Sequence, residues 1–382
     1  MYVNLYINHF SYITDFRQFA QKFKCPDCNR IFDRSDNLKQ HMKTCSTGVK
    51  EIYPGGKFDA SHETIFDKLY KLGINVPEKD RYYEFVSVFD FEALQVRDDT
   101  KINGRSINFV HIPATFSVCS NVPGFTDPVH VQGQRGKTQE LVDKLVQIQL
   151  KHQERASYIM RSKFAWIIEK LEAMEIYEKV APYVRKRFLQ FCDILPIVTF
   201  NGQKYDVPLV RRFLPLSLKK FDDLPTFVIK KTRAYMAIGT ERLQYLDLVN
   251  YLAAGTSLVK FYKAFKVKNP KGNFPYEWFD SLGKLMEPAL PQRTRENREA
   301  VDRGEHPKDD PYYSLLKGKT ISNEDVDDCE RVWKEQGMKT FGDYIRFYND
   351  ADCIGLVEGI VKMGKIFKNQ KLDLFKDGVS LP

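Results

Sequence analysis

The chain has 382 residues, of which 43% are hydrophobic and 13% aromatic, and its 59 Lys and Arg against 50 Asp and Glu give a formal charge of +9. This composition excludes a disordered or collagen-like chain, and at about 100 to 200 residues per domain the length allows roughly two or three domains. The sequence has no typical secretion signal and no apolar stretch of about 18 residues. We therefore expect a soluble, intracellular protein without a membrane partner.

The cysteines indicate one local metal site rather than a disulfide framework. Cys25, Cys28 and Cys45 lie close together, whereas the other four are scattered singly at Cys119, Cys192, Cys329 and Cys353. Such a distribution is typical of a metal-binding module in a reducing compartment.

The first predicted element is a small ββα module with the ligand spacing Cys25-x2-Cys28-x12-His41-x3-Cys45. Thiolates and an imidazole suit a closed tetrahedral Zn²⁺ site, which supplies folding energy that so short a segment cannot gain from burial. Phe32 and the apolar Leu38 occupy positions suited to its core. Because ligands and core residues agree, this spacing favours one Zn²⁺ ion over a chance pattern.

The module resembles the two-Cys two-His zinc fingers, with Cys45 in place of the final His. The resemblance implies a base-reading face formed by Arg34, Asp36, Asn37 and Gln40. Arg can pair with guanine, and Asn or Gln with adenine, but one finger covers only about 3 bp. Residues 17–50 hold eight Lys or Arg and three Asp, a formal +5. This favours nonspecific DNA or partner binding, and a purely structural finger is the alternative.

The rest of the chain predicts an α/β (α+β) domain at 61–382, after a finger and linker at 1–60. A Gly/Pro-containing linker is expected at 53–57. Strands are expected at 85–94, 109–118 and 197–200, two or three amphipathic helices within 138–191, a turn at Asn201 and Gly202, and helices at 207–213 and 341–367. The charged, Pro-punctuated segment 291–310 is predicted to be a surface insertion.

Two carboxylates lie in an otherwise apolar strand. Asp90 and Glu92 are two positions apart, so both project from the same side of the strand. Two close anions in a dry setting are costly unless a cation or a shared proton offsets them. The pair therefore indicates a divalent metal, and a strand that reaches the surface is the alternative.

Two later segments add acids and aromatic residues. Asn201, Tyr205 and Asp206 follow the strand at 197–200, where Asp206 alone could be a helix N-cap. Tyr348 and Asp352 share one face of the final helix, which could also be an exposed polar face.

The order Asp-x-Glu, Asn-x3-Tyr-Asp, Tyr-x3-Asp resembles the Exo I, Exo II and Exo III motifs of the 3′-5′ proofreading exonuclease of family B DNA polymerases. Ser257-Leu258-x2-Phe261 and Lys271-x2-Phe274 resemble motifs of the protein-primed branch. Residues 274–279, 341–344 and 376–382 are similar to polymerases of Polinton or Maverick transposons. The resemblance implies a ribonuclease H-like fold.

The resemblance also implies roles for individual residues. Two Mg²⁺ or Mn²⁺ ions would be held by Asp90, Glu92, Asp206 and Asp352, with Asp90 as the bridge. Tyr348 would orient the attacking water, and Lys271 would stabilise phosphate charge. The residues expected to grip a single-stranded 3′ end are Asn201, Tyr205, Ser257 and Leu258. Alternatively, Ser257 is a helix N-cap, Leu258 a core residue and Lys271 a solvated lysine.

Three further residues are predicted to be structural. Asp247 lies in an apolar run without an acidic partner at metal spacing, so we interpret it as a structural acid near a strand end. His111 and His130 are expected to satisfy local hydrogen bonds rather than to bind metal.

Family polymerases carry further acidic polymerase motifs, which this sequence lacks. We therefore expect a fragment of a DNA-directed DNA polymerase of DNA replication, with the exonuclease and without the polymerase palm. The expected partners are single-stranded 3′ ends and primer-template DNA, and in the full-length protein a polymerase domain and a terminal priming protein. The expected location is the nucleus. The alternatives are a noncatalytic finger that binds DNA or protein and an inactive transposon remnant.

Overall fold

The structure is a computed structural model. It describes residues 2–6, 9–13, 23–26, 30–45, 63–97, 101–102, 105–106, 109–231, 234–268, 272–315 and 317–380. The chain divides into two compact units, Met1–Thr64 with Ser380–Pro382, and Ile65–Val379. The predicted linker at 53–57, the zinc ligand Cys28 and Lys271 lie outside the described residues.

The N-terminal unit contains the predicted ββα module. Strands β1 (Tyr2–Tyr6) and β2 (His9–Ile13) form an antiparallel hairpin that the sequence did not lead us to expect. Strands β3 (Phe23–Lys24) and β4 (Ile31–Phe32) pair and precede helix α1 (Ser35–Thr44). Phe32 and Leu38 are half-buried, which agrees with their expected place in so small a core.

The larger unit is built on a seven-stranded mixed sheet in the order β11-β12-β13-β10-β5-β8-β9. The strands are β5 (Ser87–Arg97), β8 (Phe109–Ser120), β9 (Val129–Gln132), β10 (Leu195–Thr199), β11 (Phe227–Lys231), β12 (Ala234–Gly239) and β13 (Leu243–Asp247), and β6 (Lys101–Ile102) and β7 (Arg105–Ser106) pair separately. Strand β10 runs parallel to β5 and β13, and the other neighbours are antiparallel. A mixed α/β architecture is thereby confirmed.

The helices of this unit are α2 (Ile65–Lys71), α3 (Thr138–Lys163), α4 (Ala165–Met174), α5 (Ala181–Asp193), α6 (Asp206–Val210), α7 (Leu214–Phe221), α8 (Leu258–Ala264), α9 (Arg295–Asp302), α10 (Asn323–Glu335) and α11 (Phe341–Asn369). Short 3₁₀ helices occur at Glu78–Asp80, Leu248–Tyr251 and Leu282–Met286. The segment predicted to hold two or three helices contains three, α3 to α5. No helix in the described ranges combines the length and apolar character needed to cross a bilayer.

The strand period of two assigns the two faces of β5 to different cores. Phe89 and Phe91 pack into the cluster that contains the apolar side of α3. Val86 and Val88 belong to the opposite cluster, together with Leu356 and Ile360 of α11. Because side chains alternate along a strand, Asp90 and Glu92 point to the side on which α11 packs.

The segment 291–310, predicted to be a surface insertion, is mostly exposed but contains a buried ion pair. The segment contains α9, and the side chains of Arg293 and Asp310 are both fully buried, with 2.6 Å between Nε and Oδ2. Thr320 also donates a hydrogen bond to Asp310, and Arg293 donates one to the backbone oxygen of Ser322. The low apolar content agrees with this exposure, and the hydrogen-bonded pair of Arg293 and Asp310 connects the segment to the interior.

Candidate functional site

In the finger, three of the four predicted ligands come together. One ligand atom from each of Cys25, His41 and Cys45 lies within 4.8 Å of the others, and the two sulfurs are 3.8 Å apart. Tetrahedral zinc with Zn–S bonds of about 2.3 Å requires sulfurs about 3.8 Å apart, so the observed separation fits Zn²⁺. The fourth predicted ligand, Cys28, lies outside the described residues.

The predicted base-reading side chains are all exposed. Arg34, Asp36, Asn37 and Gln40 are accessible to solvent along the first turns of α1 and the residue before it. Arg34 and Asp36 approach each other to 4.0 Å, with side chains 76% and 73% exposed. This surface pair leaves both groups accessible to a partner, since exposed ion pairs contribute little stability.

In the larger unit, the acid at the start of α6 contacts the backbone of β5 between the two acids of that strand. Asp206 is the first residue of α6 and only 2% exposed, and its Oδ1 accepts a hydrogen bond from Phe91 N at 3.2 Å. The N-cap position belongs to Tyr205, so the alternative interpretation of Asp206 as an N-cap is wrong. The carboxylate instead lies against the strand residue between Asp90 and Glu92.

The electrostatics of Asp206 reflect this position. Burial, followed by the charge of Asp90, raises the pKa of Asp206 well above its ordinary value, although the hydrogen bond from Phe91 opposes the change. Glu92 is itself 4% exposed and Asp90 half-buried. The strand therefore does not simply reach the surface at these acids. A cation or a bound proton would relieve the repulsion between them.

The turn that presents Tyr205 and Asp206 is held by Asp247 at the end of β13. Its carboxylate accepts hydrogen bonds from the backbone nitrogens of Asn201, Gln203 and Val249, each at 2.9 Å. Asn201 has a left-handed φ of 64°, as expected for a tight turn. The interpretation of Asp247 as a structural acid is thus confirmed, and its function here is to fix this turn.

Helix α11 approaches Asp90 from the facing side. Asn349 Nδ2 donates to Asp90 O at 3.2 Å and to Asp90 Oδ2 at 3.1 Å. Tyr348 and Asp352 are 3% and 4% exposed, so the interpretation as an exposed polar face is wrong. Asn349 was missed by the sequence analysis, although its place beside Tyr348 and one helical turn before Asp352 could have indicated it.

Tyr348 is oriented by a second tyrosine. Its hydroxyl lies 2.7 Å from the hydroxyl of Tyr276. Burial raises the pKa of Tyr348 well above its usual value, and Tyr276, Asp352 and Glu92 raise it further. The phenol therefore remains protonated at neutral pH, which suits a hydrogen-bond donor and not a general base.

The four acids lie in one region, but their ligand atoms do not form one compact group. In the part of the chain that the structure describes, the only group of three or more potential His, Cys or acidic ligands within 4.8 Å is that of the finger. By this measure, no three of Asp90, Glu92, Asp206 and Asp352 offer ligand atoms that all lie within 4.8 Å of one another.

Unsatisfied polar atoms lie beside the acids. Asn349 Oδ1 and Thr115 Oγ1 are buried and have no hydrogen-bond partner among the described atoms. Thr115 is the cross-strand partner of Glu92, and Asn349 donates to Asp90. Because buried polar atoms normally have partners, these orphaned oxygens fit a site that takes up water or a hydrated cation. The acids and their neighbours are thus suited to Mg²⁺ or Mn²⁺, which prefer oxygen ligands.

The residues expected to bind a DNA end differ in their surroundings. Tyr205 is 38% exposed, and Asn201 is also exposed. Ser257 is the N-cap of α8, where its Oγ accepts from Lys260 N at 3.3 Å, and Leu258 packs half-buried against the core that contains Phe261. The structural alternatives for these two residues are therefore observed.

Both histidines make hydrogen bonds, as predicted, although the partner of His111 lies 94 residues away in sequence. His130 Nδ1 lies 2.9 Å from Ser117 Oγ, and His111 Nδ1 lies 2.9 Å from the hydroxyl of Tyr205. The second contact connects β8 to the Tyr205 segment, a link that sequence alone does not indicate.

Comparison with known proteins identifies the finger. Residues 23–44 match the family described as zinc finger, C2H2 type. No curated protein matches the chain. No solved structure matches it either.

Proposed function

We propose that residues 61–382 form a metal-dependent 3′-5′ DNA exonuclease domain with a ribonuclease H-like fold. Support comes from the mixed sheet with helices on both faces and from acids on its central strand. The observation that carries the proposal is the position of Asp206, whose buried carboxylate binds the β5 backbone between Asp90 and Glu92. Such a concentration of buried acids is costly without a cation.

The proposed chemistry assigns distinct roles to the protein groups. Asp90, Glu92, Asp206 and Asp352 would hold two Mg²⁺ or Mn²⁺ ions. When bound, these ions lower the pKa of a water and stabilise a leaving 3′ oxygen. Tyr348, fixed by Tyr276, would donate to and orient the attacking water. Lys271 would stabilise phosphate charge.

The substrate proposed is the single-stranded 3′ end of DNA, including a frayed primer end on a template. In this proposal the chain is part of a protein-primed family B polymerase of Polinton or Maverick type. A polymerase domain and a priming protein would be partners of the full-length protein, which would act in the nucleus. Stacking and backbone contacts accept any base, as proofreading requires.

The decisive experiment incubates 5′-labelled single-stranded DNA with the full chain and Mg²⁺. We expect a ladder of shortened products that requires the metal and is reduced at least about 100-fold in Asp90→Ala/Glu92→Ala, because removal of metal ligands abolishes most rate enhancement. The matched control is Asp309→Ala/Glu324→Ala, which removes two exposed acids. Equal digestion by the wild type and the β5 double variant would refute the proposal, and a metal-binding but inactive wild type would identify an inactive remnant.

A second candidate function is nonspecific DNA binding by the finger, favoured by the exposed Arg34, Asn37 and Gln40 and by the formal +5 of residues 17–50. The test is the affinity of the full chain for duplex DNA as a function of salt. We expect Arg34→Ala to weaken binding on all sequences and to reduce the salt slope by about one charge. Unchanged affinity and slope would leave the finger with a structural function.

A further inference from the structure

Tyr205 is held at two points that are distant in sequence. Its backbone occupies the N-cap position of α6, directly after the turn fixed by Asp247. Its hydroxyl lies 2.9 Å from Nδ1 of His111, a residue 94 positions earlier in the sequence. The two rings are 5.6 Å apart between centroids and inclined at 82°. Because the rings are joined through the hydroxyl and steeply inclined, they do not stack flat on each other.

The position of this ring is unusual for a residue that serves only to pack the core. Tyr205 is 38% exposed, and it directly precedes the buried Asp206, whose carboxylate contacts the β5 backbone at Phe91. A partly exposed aromatic ring next to buried acids offers a stacking surface for a base.

His111 is suited to hold such a ring. It lies in β8 opposite Gln95 of β5, in the same two-stranded pairing that carries Asp90 and Glu92. Burial lowers the pKa of His111 below its usual value, although Glu277 opposes this change. A neutral imidazole can donate to or accept from the tyrosine hydroxyl without adding charge to the site.

We infer that His111 is a positioning residue that fixes the Tyr205 ring as the stacking platform for the terminal base of single-stranded DNA. This inference rests on the proposed function for its substrate class. An aromatic ring held in place before binding loses less conformational freedom when a base stacks on it. Release of the hydroxyl should therefore weaken DNA binding while leaving the metal-binding acids in place.

The test is a double-mutant cycle with His111→Leu, Tyr205→Phe and the combined variant, each of which removes the same hydrogen bond. Affinity is measured by fluorescence anisotropy with labelled oligothymidine in EDTA, where metal-dependent cleavage cannot occur. Each single variant should bind about 2- to 10-fold more weakly, and the combined variant no more weakly than either. Tyr205→Leu, which removes the ring, should lose about 5- to 150-fold.

Three controls separate positioning from folding. His111→Gln retains a side chain that can hydrogen-bond and should restore most of the affinity. His306→Leu replaces an exposed histidine and should change nothing. Urea unfolding of His111→Leu shows whether the variant is folded. If it is not folded, the DNA affinities of Tyr205→Phe, which lacks the hydrogen bond, and Tyr205→Leu, which lacks the ring, test the inference.

The outcomes distinguish this inference from the proposed function. In an active enzyme, His111→Leu should raise KM and leave kcat unchanged. If the wild type binds oligothymidine with the coupling described but does not digest DNA, the exonuclease proposal fails and the platform stands. If DNA is digested and the His111 and Tyr205 effects are absent or additive, the platform is overturned and the exonuclease stands. Absence of binding overturns the platform.

Discussion

At the scale of the residue, Asp206 links the pH dependence of stability to the candidate metal site. Burial and Asp90 raise its pKa in the folded protein, whereas the unfolded chain ionises near its ordinary value of about 3.9. The folded state therefore keeps the proton to higher pH. As the pH rises from the pKa of the unfolded chain to the raised pKa of the folded protein, ionisation of this carboxyl lowers the free energy of unfolding. The cost is fully present only above the raised pKa.

We predict that Asp206→Asn has a higher free energy of unfolding than the wild type at pH 7 without metal. The advantage should shrink as the pH falls to about 4, where the wild-type carboxyl is protonated. Urea unfolding in EDTA at the two pH values measures it, with Asp309→Asn as the exposed control. A variant less stable than the wild type at pH 7 would contradict the prediction.

Asp247 allows a prediction of the opposite sign. Asp247→Ala removes the acceptor of three backbone N–H groups and should lower the free energy of unfolding by about 1 to 3 kcal/mol or more. Asp247→Asn retains one acceptor oxygen and should lose less. Chemical denaturation measures both, and Asp309→Ala is the matched exposed change. Equal stability of Asp247→Ala and Asp309→Ala would show that the turn does not depend on this acid.

At the scale of the element, local patterns predicted most of what positions the site. The apolar run around Asp90 predicted β5, and the strand period of two predicted that Asp90 and Glu92 share a face. The dipeptide Asn201-Gly202 predicted the turn before α6. The missed features depend on side chains that meet far apart in sequence, such as Asp206 with Phe91 and Asn349 with Asp90, separated by 115 and 259 residues. Periods and caps act over a few residues and cannot specify such contacts.

Two glycines of α11 test how closely this helix packs. A Cβ at Gly359 would lie 2.4 Å from Phe261 Cε1 of α8, whereas one at Gly364 would meet nothing within 4 Å. Gly364→Ala should raise the free energy of unfolding by about 0.5 to 1 kcal/mol, because alanine favours a helix. Gly359→Ala should lower it by about 1 to 3 kcal/mol, because overpacking exceeds that gain.

The comparison is made by thermal and urea unfolding of the two variants in one buffer. Since both changes are Gly→Ala in one helix, their helix propensity gains are equal and the difference reports packing alone. Equal changes in the free energy of unfolding at the two positions would show that α8 moves aside without cost when the methyl group is added.

At the scale of the whole molecule, the two units depend on different sources of stability. Among the described residues, the larger unit contains three hydrophobic clusters, whereas the finger brings together a group of potential zinc ligands. Sequence predicted this difference well because ligand spacing is local. It did not predict the buried pair of Arg293 and Asp310, since charged residues usually indicate surface.

The seven cysteines report on the two units separately. Cys119, Cys192, Cys329 and Cys353 are at most 4% exposed, and burial raises the pKa of Cys119 and Cys192 to about 12, so few thiolates form. Thiols bound to zinc are protected by the metal. We predict that a zinc chelator makes three thiols, those of Cys25, Cys28 and Cys45, reactive toward a disulfide reagent, and that the other four react only in guanidinium.

Thiol titration with and without the chelator provides the count, and circular dichroism during heating reports the larger unit. Its melting temperature should stay unchanged after chelation, because its core contains no zinc ligand among the described residues. Excess Mg²⁺ should not protect the three thiols, since hard cations prefer oxygen ligands. Reaction of all seven cysteines after chelation would mean that the finger's zinc also stabilises the larger unit, whereas no newly reactive thiol would exclude zinc from the finger.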